Sequence, residues 1–295
     1  MWAPEYEMDI GAHVFPTEKY RLVKDRLVSE GILNPDDLHR PTPVTSNDIT
    51  RAHDREYVAR VMDGRLSPME ERLLELPYSE TLRDAFVLFC GGTLLAGRLA
   101  LAREMAIHLG GGFHHAFADH GEGFCLFNDV AIAVRCLEHE GVIERSLVVD
   151  LDVHHGNGTA AIFEDVPEVF TFSMHQESNY PALKPPSDLD VGLADGVGDD
   201  RYLSVLDEHW PAILETHAPD IVFFLAGADP FREDQLGGLR LSFDGLRARD
   251  RRVLRACRQT GVPVVVLLAG GYALRREDTV EIHCNTVREA IASGG

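Results

Sequence analysis

An α/β architecture on a central, mostly parallel sheet is the fold class this sequence predicts, and three observations carry it. Short β-branched apolar runs recur at 147–152, 169–174, 221–226 and 262–269, each of strand length and too continuously apolar to keep one face in water. Between them lie stretches with apolar residues at three- and four-residue spacing, several opened by Asp, Asn or Ser, which is the pattern of capped amphipathic helices. The residues capable of chemistry gather just after the apolar runs, where open α/β sheets place their ligand sites. No linker, fixed-period repeat or low-complexity tract divides the 295 residues, so one domain over 1–295 is expected.

The spacing predicts a first helix over 92–105 and a second over 129–140, followed by the strands 147–152 and 169–174. Residues 187–200, from Ser187-Asp188-Leu189-Asp190 to Asp199-Asp200, read as an acidic loop. A helix over 199–216 should kink or break at Pro211, which lacks the N–H that the helix needs there. The strand 221–226 comes next, then a helix over 243–260 whose arginines (Arg247, Arg249, Arg251, Arg252, Arg255, Arg258) read as a solvated face, and last the strand 262–269.

Charge and cysteine usage exclude some functions. The chain has 48 acidic against 28 basic residues, a net of −20, which argues against nucleic acid, whose binding draws on basic groups. A cationic partner is easier to accommodate. Cys90, Cys125, Cys136, Cys257 and Cys284 are odd in number and contain no Cys-x-x-Cys pair, so thiolate zinc is not expected and a reducing compartment is. No apolar run is expected to approach the roughly 18–20 residues of a membrane span, and Met1-Trp2-Ala3-Pro4-Glu5-Tyr6-Glu7 does not read as a secretion signal. A soluble, cytoplasmic protein is the expectation.

The candidate site starts from Asp150-Leu151-Asp152-Val153-His154-His155-Gly156-Asn157-Gly158. Side chains alternate along a strand, so Asp150, Asp152 and His154 point the same way. Carboxylates with a neutral imidazole suit zinc, iron(II), manganese or cobalt, in catalytic sites that use three protein ligands and leave one position open. Asp229, in Ala226-Gly227-Ala228-Asp229-Pro230, is the candidate third ligand, since it ends another apolar run. His114 and His115, in Gly110-Gly111-Gly112-Phe113-His114-His115, are too close in sequence to chelate one ion easily and suit an acid/base or hydrogen-bonding pair. Tyr272, in Ala269-Gly270-Gly271-Tyr272, offers a neutral donor to a carbonyl or oxyanion.

Taken in this order, these motifs resemble the histone deacetylase superfamily, zinc-dependent deacylases related in fold to arginase, from about His13 to about Val287. Gly123-Phe124-Cys125, and Asp234-Gln235-Leu236-Gly237-Gly238-Leu239 after Asp229, make the likeness greatest to the class IV branch; bacterial acetoin-utilisation and polyamine deacetylases share the framework. The resemblance implies a three-layer arginase/deacetylase-like fold. It implies Asp152, His154 and Asp229 as ligands of zinc (iron(II) or cobalt also fit), His114 and His115 as the paired histidines, and Tyr272 as the carbonyl-polarising hydroxyl. Asp150 would pair with His114, whereas Asn157 stands where class I enzymes have an aspartate, leaving His115 without a carboxylate partner. Gly123, Phe124, Tyr180 and Leu236 would line the substrate slot. Backbone carbonyls near Asp150, Asp152, His154, Ser173 and Met174 would hold a structural potassium ion, and Lys19 would replace an arginine near an internal acetate channel. The implied reaction is hydrolysis of an acyl-lysine in a protein or peptide, or of a small acylated amine such as an acetylpolyamine, with the class IV likeness implying tolerance of acyl chains longer than acetyl. A binuclear manganese ureohydrolase and a non-catalytic acyl-lysine binding module are the rival readings, and the sequence fixes no oligomeric state.

Overall fold

The computed structural model describes residues 1–294. Six strands, β1 (Met105–His108), β2 (Ser146–Asp150), β3 (Val169–Gln176), β4 (Leu189–Leu193), β5 (Ile221–Leu225) and β6 (Val264–Leu267), form one sheet in the order β1-β6-β5-β2-β3-β4. All five pairings are parallel. Residues of β2, β5 and β6 are buried along their whole length, because helices cover both sides, as parallel crossovers require.

The strand period sorts those side chains into two cores. Val148, Phe223, Leu225, Val265 and Leu267 pack with α5 (Glu80–Arg103) and α6 (Asp129–His139). Leu147, Val149, Val222, Phe224, Val264 and Val266 pack against α8 (Asp199–His217) and α9 (Phe243–Thr260). The result is the three-layer arrangement. Two further helices, α1 (Lys19–Ser29) and α10 (Arg276–Gly294), enclose a smaller third core around Val23, Leu27, Val280 and Val287. The remaining helices are α2 (Ser46–Ile49), α3 (Arg55–Met62), α4 (Pro68–Leu74) and α7 (Asn157–Phe163).

Several elements differ from the sequence expectation for identifiable reasons. The first predicted helix is α5, which starts at Glu80, capped by Ser79 Oγ accepting from Leu82 N at 3.0 Å. Gly91 and Gly92 look like a boundary but lie mid-helix, where a Cβ would run into the Thr42 carbonyl or into His108 and Tyr6. α5 also corrects the expectation of no span-like segment: it is long and apolar enough to cross a membrane, yet 72% of its most apolar window is buried in the protein. Met105 begins β1 instead of ending a helix. α8 runs unbroken through Pro211; Pro211 and Asp207, whose carbonyl loses its donor, are both exposed, so the missing bond is left to water.

The acidic loop is partly sheet. β4 pairs with β3, Asp188 Oδ2 accepts from Thr171 N at 2.8 Å, His155 Nε2 lies 3.0 Å from Asp190 Oδ1, and Asp199 Oδ1 accepts from Ser242 N at 2.8 Å. Those carboxylates are committed to the fold. The arginine helix is not wholly solvated either, since Arg249 is fully buried.

Candidate active site

β2 and β5 run side by side, with Asp150 opposite Leu225, and the turns after them meet beyond the sheet's carboxyl edge. Asp152, His154 and Asp229 bring one ligand atom each to within 4.8 Å of one another, and all three are buried. His154 Nδ1 lies 3.0 Å from Asp152 Oδ1 and 3.6 Å from Asp229 Oδ2. Burial works against a charged His154, but its contacts with Asp152 and Asp229 outweigh this and push it up to about 10, so the cluster favours a positive charge at its centre. Asp229 Oδ2, an unsatisfied oxygen of the kind a cation satisfies, is buried without a hydrogen-bond partner, and burial with the Asp152 charge beside it pushes the Asp229 carboxyl up. A Cβ on Gly227 would come within 2.6 Å of Asp152 and 2.8 Å of Asp229, and one on Gly270 would run into Asp229, so only glycine leaves this cradle open. Two carboxylates, one imidazole and no thiolate fit a divalent ion of the zinc, iron or cobalt type.

The paired histidines enter from the turn after β1. Gly111 (φ +72°) and Gly112 (φ +85°) make that turn in the left-handed region, and Asp129 Oδ1 anchors it by accepting from Phe113 N at 2.7 Å and Gly112 N at 3.1 Å. The two rings lie 4.1 Å apart. His114 Nδ1 donates to Asp150 Oδ2 at 2.6 Å; burial lowers its pKa, but the Asp150 and Asp152 charges raise it to about 9. His115 Nδ1 donates to Asn157 Oδ1 at 2.6 Å. Burial, with the His114 and His154 charges adding to it, pushes His115 well below its ordinary value.

Tyr272 closes the other side, its ring 6.4 Å from that of His154. Asp234 orders the surrounding loops: Oδ2 accepts from Tyr272 N at 2.7 Å, and Oδ1 accepts from Leu236 N at 2.8 Å and Gly237 N at 3.1 Å. A cavity of about 170 Å³ is lined by Gly123, Phe124, Tyr180 and Leu236 together with His115, His154 and Tyr272. All four predicted slot residues lie there. Phe124 holds φ +68°, a strained value for a side chain of its size. An inner cavity of about 30 Å³ continues among Gly112, His114, Asp152 and Gly270. A larger groove, about 720 Å³, lies alongside, sharing Tyr272 and Phe15 with the inner cavity but none of the three clustered ligand candidates.

Lys19 is fully buried and donates to Ala269 O at 2.7 Å, 5.7 Å from the Tyr272 ring centroid. Register sets Ser173 beside Asp150, and Gln176 N donates to Val153 O at 2.9 Å, so Asp150, Asp152, His154, Ser173 and Met174 belong to adjoining segments. The Ser173 hydroxyl is paired with His175 Nδ1 at 3.0 Å. A second set of ligand-type groups, His155, His175 and Asp190, shares no residue with the first, so the two do not form a bridged binuclear centre.

Sequence reasoning missed five residues that build this site: Glu75 and Asn179 on the slot wall, Asp129 under the histidine turn, Glu122 against Asn157, and Arg249. Arg249 Nη1 donates to Gly227 O at 2.6 Å and Leu151 O at 3.2 Å, joining the turns that carry Asp152 and Asp229, and Nε donates to Asp250 Oδ1 at 2.8 Å. Its signal was its place on the helix's apolar stripe with Leu246, Val253, Leu254 and Cys257.

Comparison with known proteins identifies the family and the fold. A histone deacetylase 2 from Arabidopsis thaliana is 32% identical over 272 residues, covering 88% of this chain and 70% of that protein. An uncharacterized protein from Picosynechococcus is 41% identical over 284 residues, covering 96% of this chain and 95% of its own. The crystal structure of the HDA15 HD domain superposes with a TM-score of 0.78 at 23% identity, covering 98% of this chain and 88% of that one, which supports the fold. Residues 13–287 match the histone deacetylase domain. With that match spanning nearly the whole sequence, the chain belongs to the histone deacetylase family.

Proposed function

We propose that the protein is a zinc-dependent deacylase of the class IV type, hydrolysing the amide of an acylated amine such as acyl-lysine. The observation that carries this reading is that Asp152, His154, two differently tuned histidines and Tyr272 line one small inner cavity, with Asp229 clustered against Asp152 and His154 and an aromatic slot sharing His115, His154 and Tyr272. Asp152, His154 and Asp229 would hold the ion. When bound, it supplies Lewis acidity and a water whose pKa falls towards about 7.

The chain's own groups do the rest. His115, kept neutral by burial, takes the proton of the attacking water and returns one to the leaving amine. His114, held towards its cationic form by Asp150, contributes positive charge beside the developing oxyanion. Tyr272, whose burial keeps its hydroxyl protonated, donates to that oxyanion. Phe124 and Tyr180 enclose the side-chain stem and exclude water. The small inner cavity favours a short acyl group, against the longer chains that the class IV likeness implies. Structural potassium near Ser173 and a role for Lys19 in acetate release belong to the same reading, as does a cytoplasmic location.

Glu75 on the slot wall favours a second substrate class, acylated polyamines, whose remaining ammonium groups would meet its carboxylate. The test is a panel of acetyl-, hexanoyl- and myristoyl-lysine peptides beside acetylated polyamines, assayed with purified protein of measured metal content. Turnover of at least one amide with one ion per chain supports the proposal. Binding without turnover would favour an acyl-lysine binding module, and two ions with urea release a ureohydrolase.

A further inference from the structure

The second histidine is oriented through an amide, and that amide has a fixed partner of its own. His115 Nδ1 donates to Asn157 Oδ1 at 2.6 Å, and Asn157 Nδ2 donates to Glu122 Oε1 at 2.7 Å. Tyr180 Oη donates to the same carboxylate oxygen at 2.6 Å, while Glu122 Oε2 lies 3.4 Å from His120 Nε2. Asn157 is 1% exposed and the Glu122 side chain 16%. His115 therefore does have a carboxylate behind it, one residue further away than in a histidine–aspartate pair.

The extra residue matters because a primary amide has two ends of nearly the same shape and opposite hydrogen-bonding character. Turned with Oδ1 towards His115, Asn157 selects the Nδ1–H tautomer and leaves the Nε2 lone pair free. Turned with its NH₂ towards the ring, it selects Nε2–H, and a base that already carries its proton on the working nitrogen accepts none. An ionised carboxylate only accepts, so Glu122 claims the NH₂ end and decides the orientation. Tyr180 and His120 hold Glu122 in place from two other directions.

We propose that Glu122 is a positioning residue: by holding the Asn157 amide it fixes His115 in the tautomer that can act as a base. Its consequence for turnover rests on the deacylase reading. Tyr180 both lines the slot and bonds to Glu122, so the slot wall and the base's orientation share one carboxylate.

The test replaces an acceptor by a group that can turn either way. In Glu122→Gln the metal content should stay unchanged, and ¹⁵N NMR of the His115 ring, assigned by difference against His115→Gln, should move from Nδ1–H towards Nε2–H. A wrong tautomer costs a catalytic histidine up to about 10⁴-fold in turnover, so an amide sampling both orientations should lower kcat by about tenfold or more, with KM nearly constant. Asn157→Asp alone sets two carboxylates against each other. The double variant Glu122→Gln/Asn157→Asp exchanges acceptor and amide, and should recover kcat to within about threefold of the original and restore Nδ1–H. The proposal is overturned if wild-type His115 carries Nε2–H, if Glu122→Gln leaves Nδ1–H intact, or if the double variant is no better than the worse single one. Should the wild type hydrolyse no acylated amine, the deacylase reading fails while the NMR measurement still decides the role of Glu122.

Discussion

At the scale of single residues, the site divides into groups that a cation would join and groups that act on their own. Asp152 and Asp229 belong to the first, since no third carboxylate stands in the cluster to replace either. Asp152→Ala or Asp229→Ala should each abolish both tight metal binding and turnover, because three ligands are the minimum for a site with an open position; elemental analysis and the amide assay check this, and full activity in either variant would refute it. Tyr272 belongs to the second. Tyr272→Phe should keep the ion and lose about 10²- to 10³-fold in kcat, equivalent to about 2.7–4 kcal/mol for one oxyanion donor, whereas a loss below tenfold would make Tyr272 a packing residue. That Asp152, His154, Asp229 and Tyr272 would lie close together was legible because each sits in a short motif after an apolar run, whereas His114 and His115 were singled out by the Gly110–His115 motif itself. Glu122 and Asp129 were not, because their roles depend on partners 35 and 16 residues away, Asn157 and Phe113, and nothing local marks such pairings.

At the scale of elements, precision comes from how the turns after β1, β2, β5 and β6 are tied together. Of the four strands that end in site residues, β2, β5 and β6 were legible from apolar runs, since full burial on both faces leaves that signature, whereas the four-residue, alternately buried β1 was hidden behind the end of α5. β4 was not legible, because an edge strand alternating half-buried and exposed residues among aspartates looks like an acidic loop. Arg249 illustrates a side chain whose neighbours mislead: five exposed-type arginines surround the one that faces inward. Its guanidinium serves two carbonyls and Asp250 at once, a planar fork that a lysine ammonium cannot reproduce. Arg249→Lys should lower the melting temperature clearly, by about 2–4 °C for each kcal/mol lost in a chain of this size. It should also weaken metal affinity, because the Gly227 and Leu151 turns lose their common anchor. A variant with unchanged melting temperature and metal affinity would show that those turns hold themselves.

For the whole molecule, a net charge of −20 produces a field that acts on any charged substrate before it reaches the slot. The acidic stretch before α8 is not its local source at the entrance, since Asp188, Asp190 and Asp199 are engaged in hydrogen bonds that hold β3, β4 and the start of α9. The carboxylate on the slot wall is Glu75; burial raises its pKa, His13 pulls it down and the Glu122 charge adds to the rise. Steering by such charges is screened over about 10 Å at 0.1 M salt. For an acyl-lysine peptide with cationic flanks, kcat/KM should therefore fall as ionic strength rises, while a neutral substrate of the same acyl group changes little. Because electrostatic steering acts on the encounter, the fall should appear in kcat/KM and leave kcat nearly constant. Glu75→Gln should reduce the slope for the cationic substrate and leave the neutral one as it was. Equal salt dependence for both substrates would mean that the surface charge serves solubility alone, and an unchanged slope in Glu75→Gln would assign the steering to the distributed charge of the surface instead of the slot.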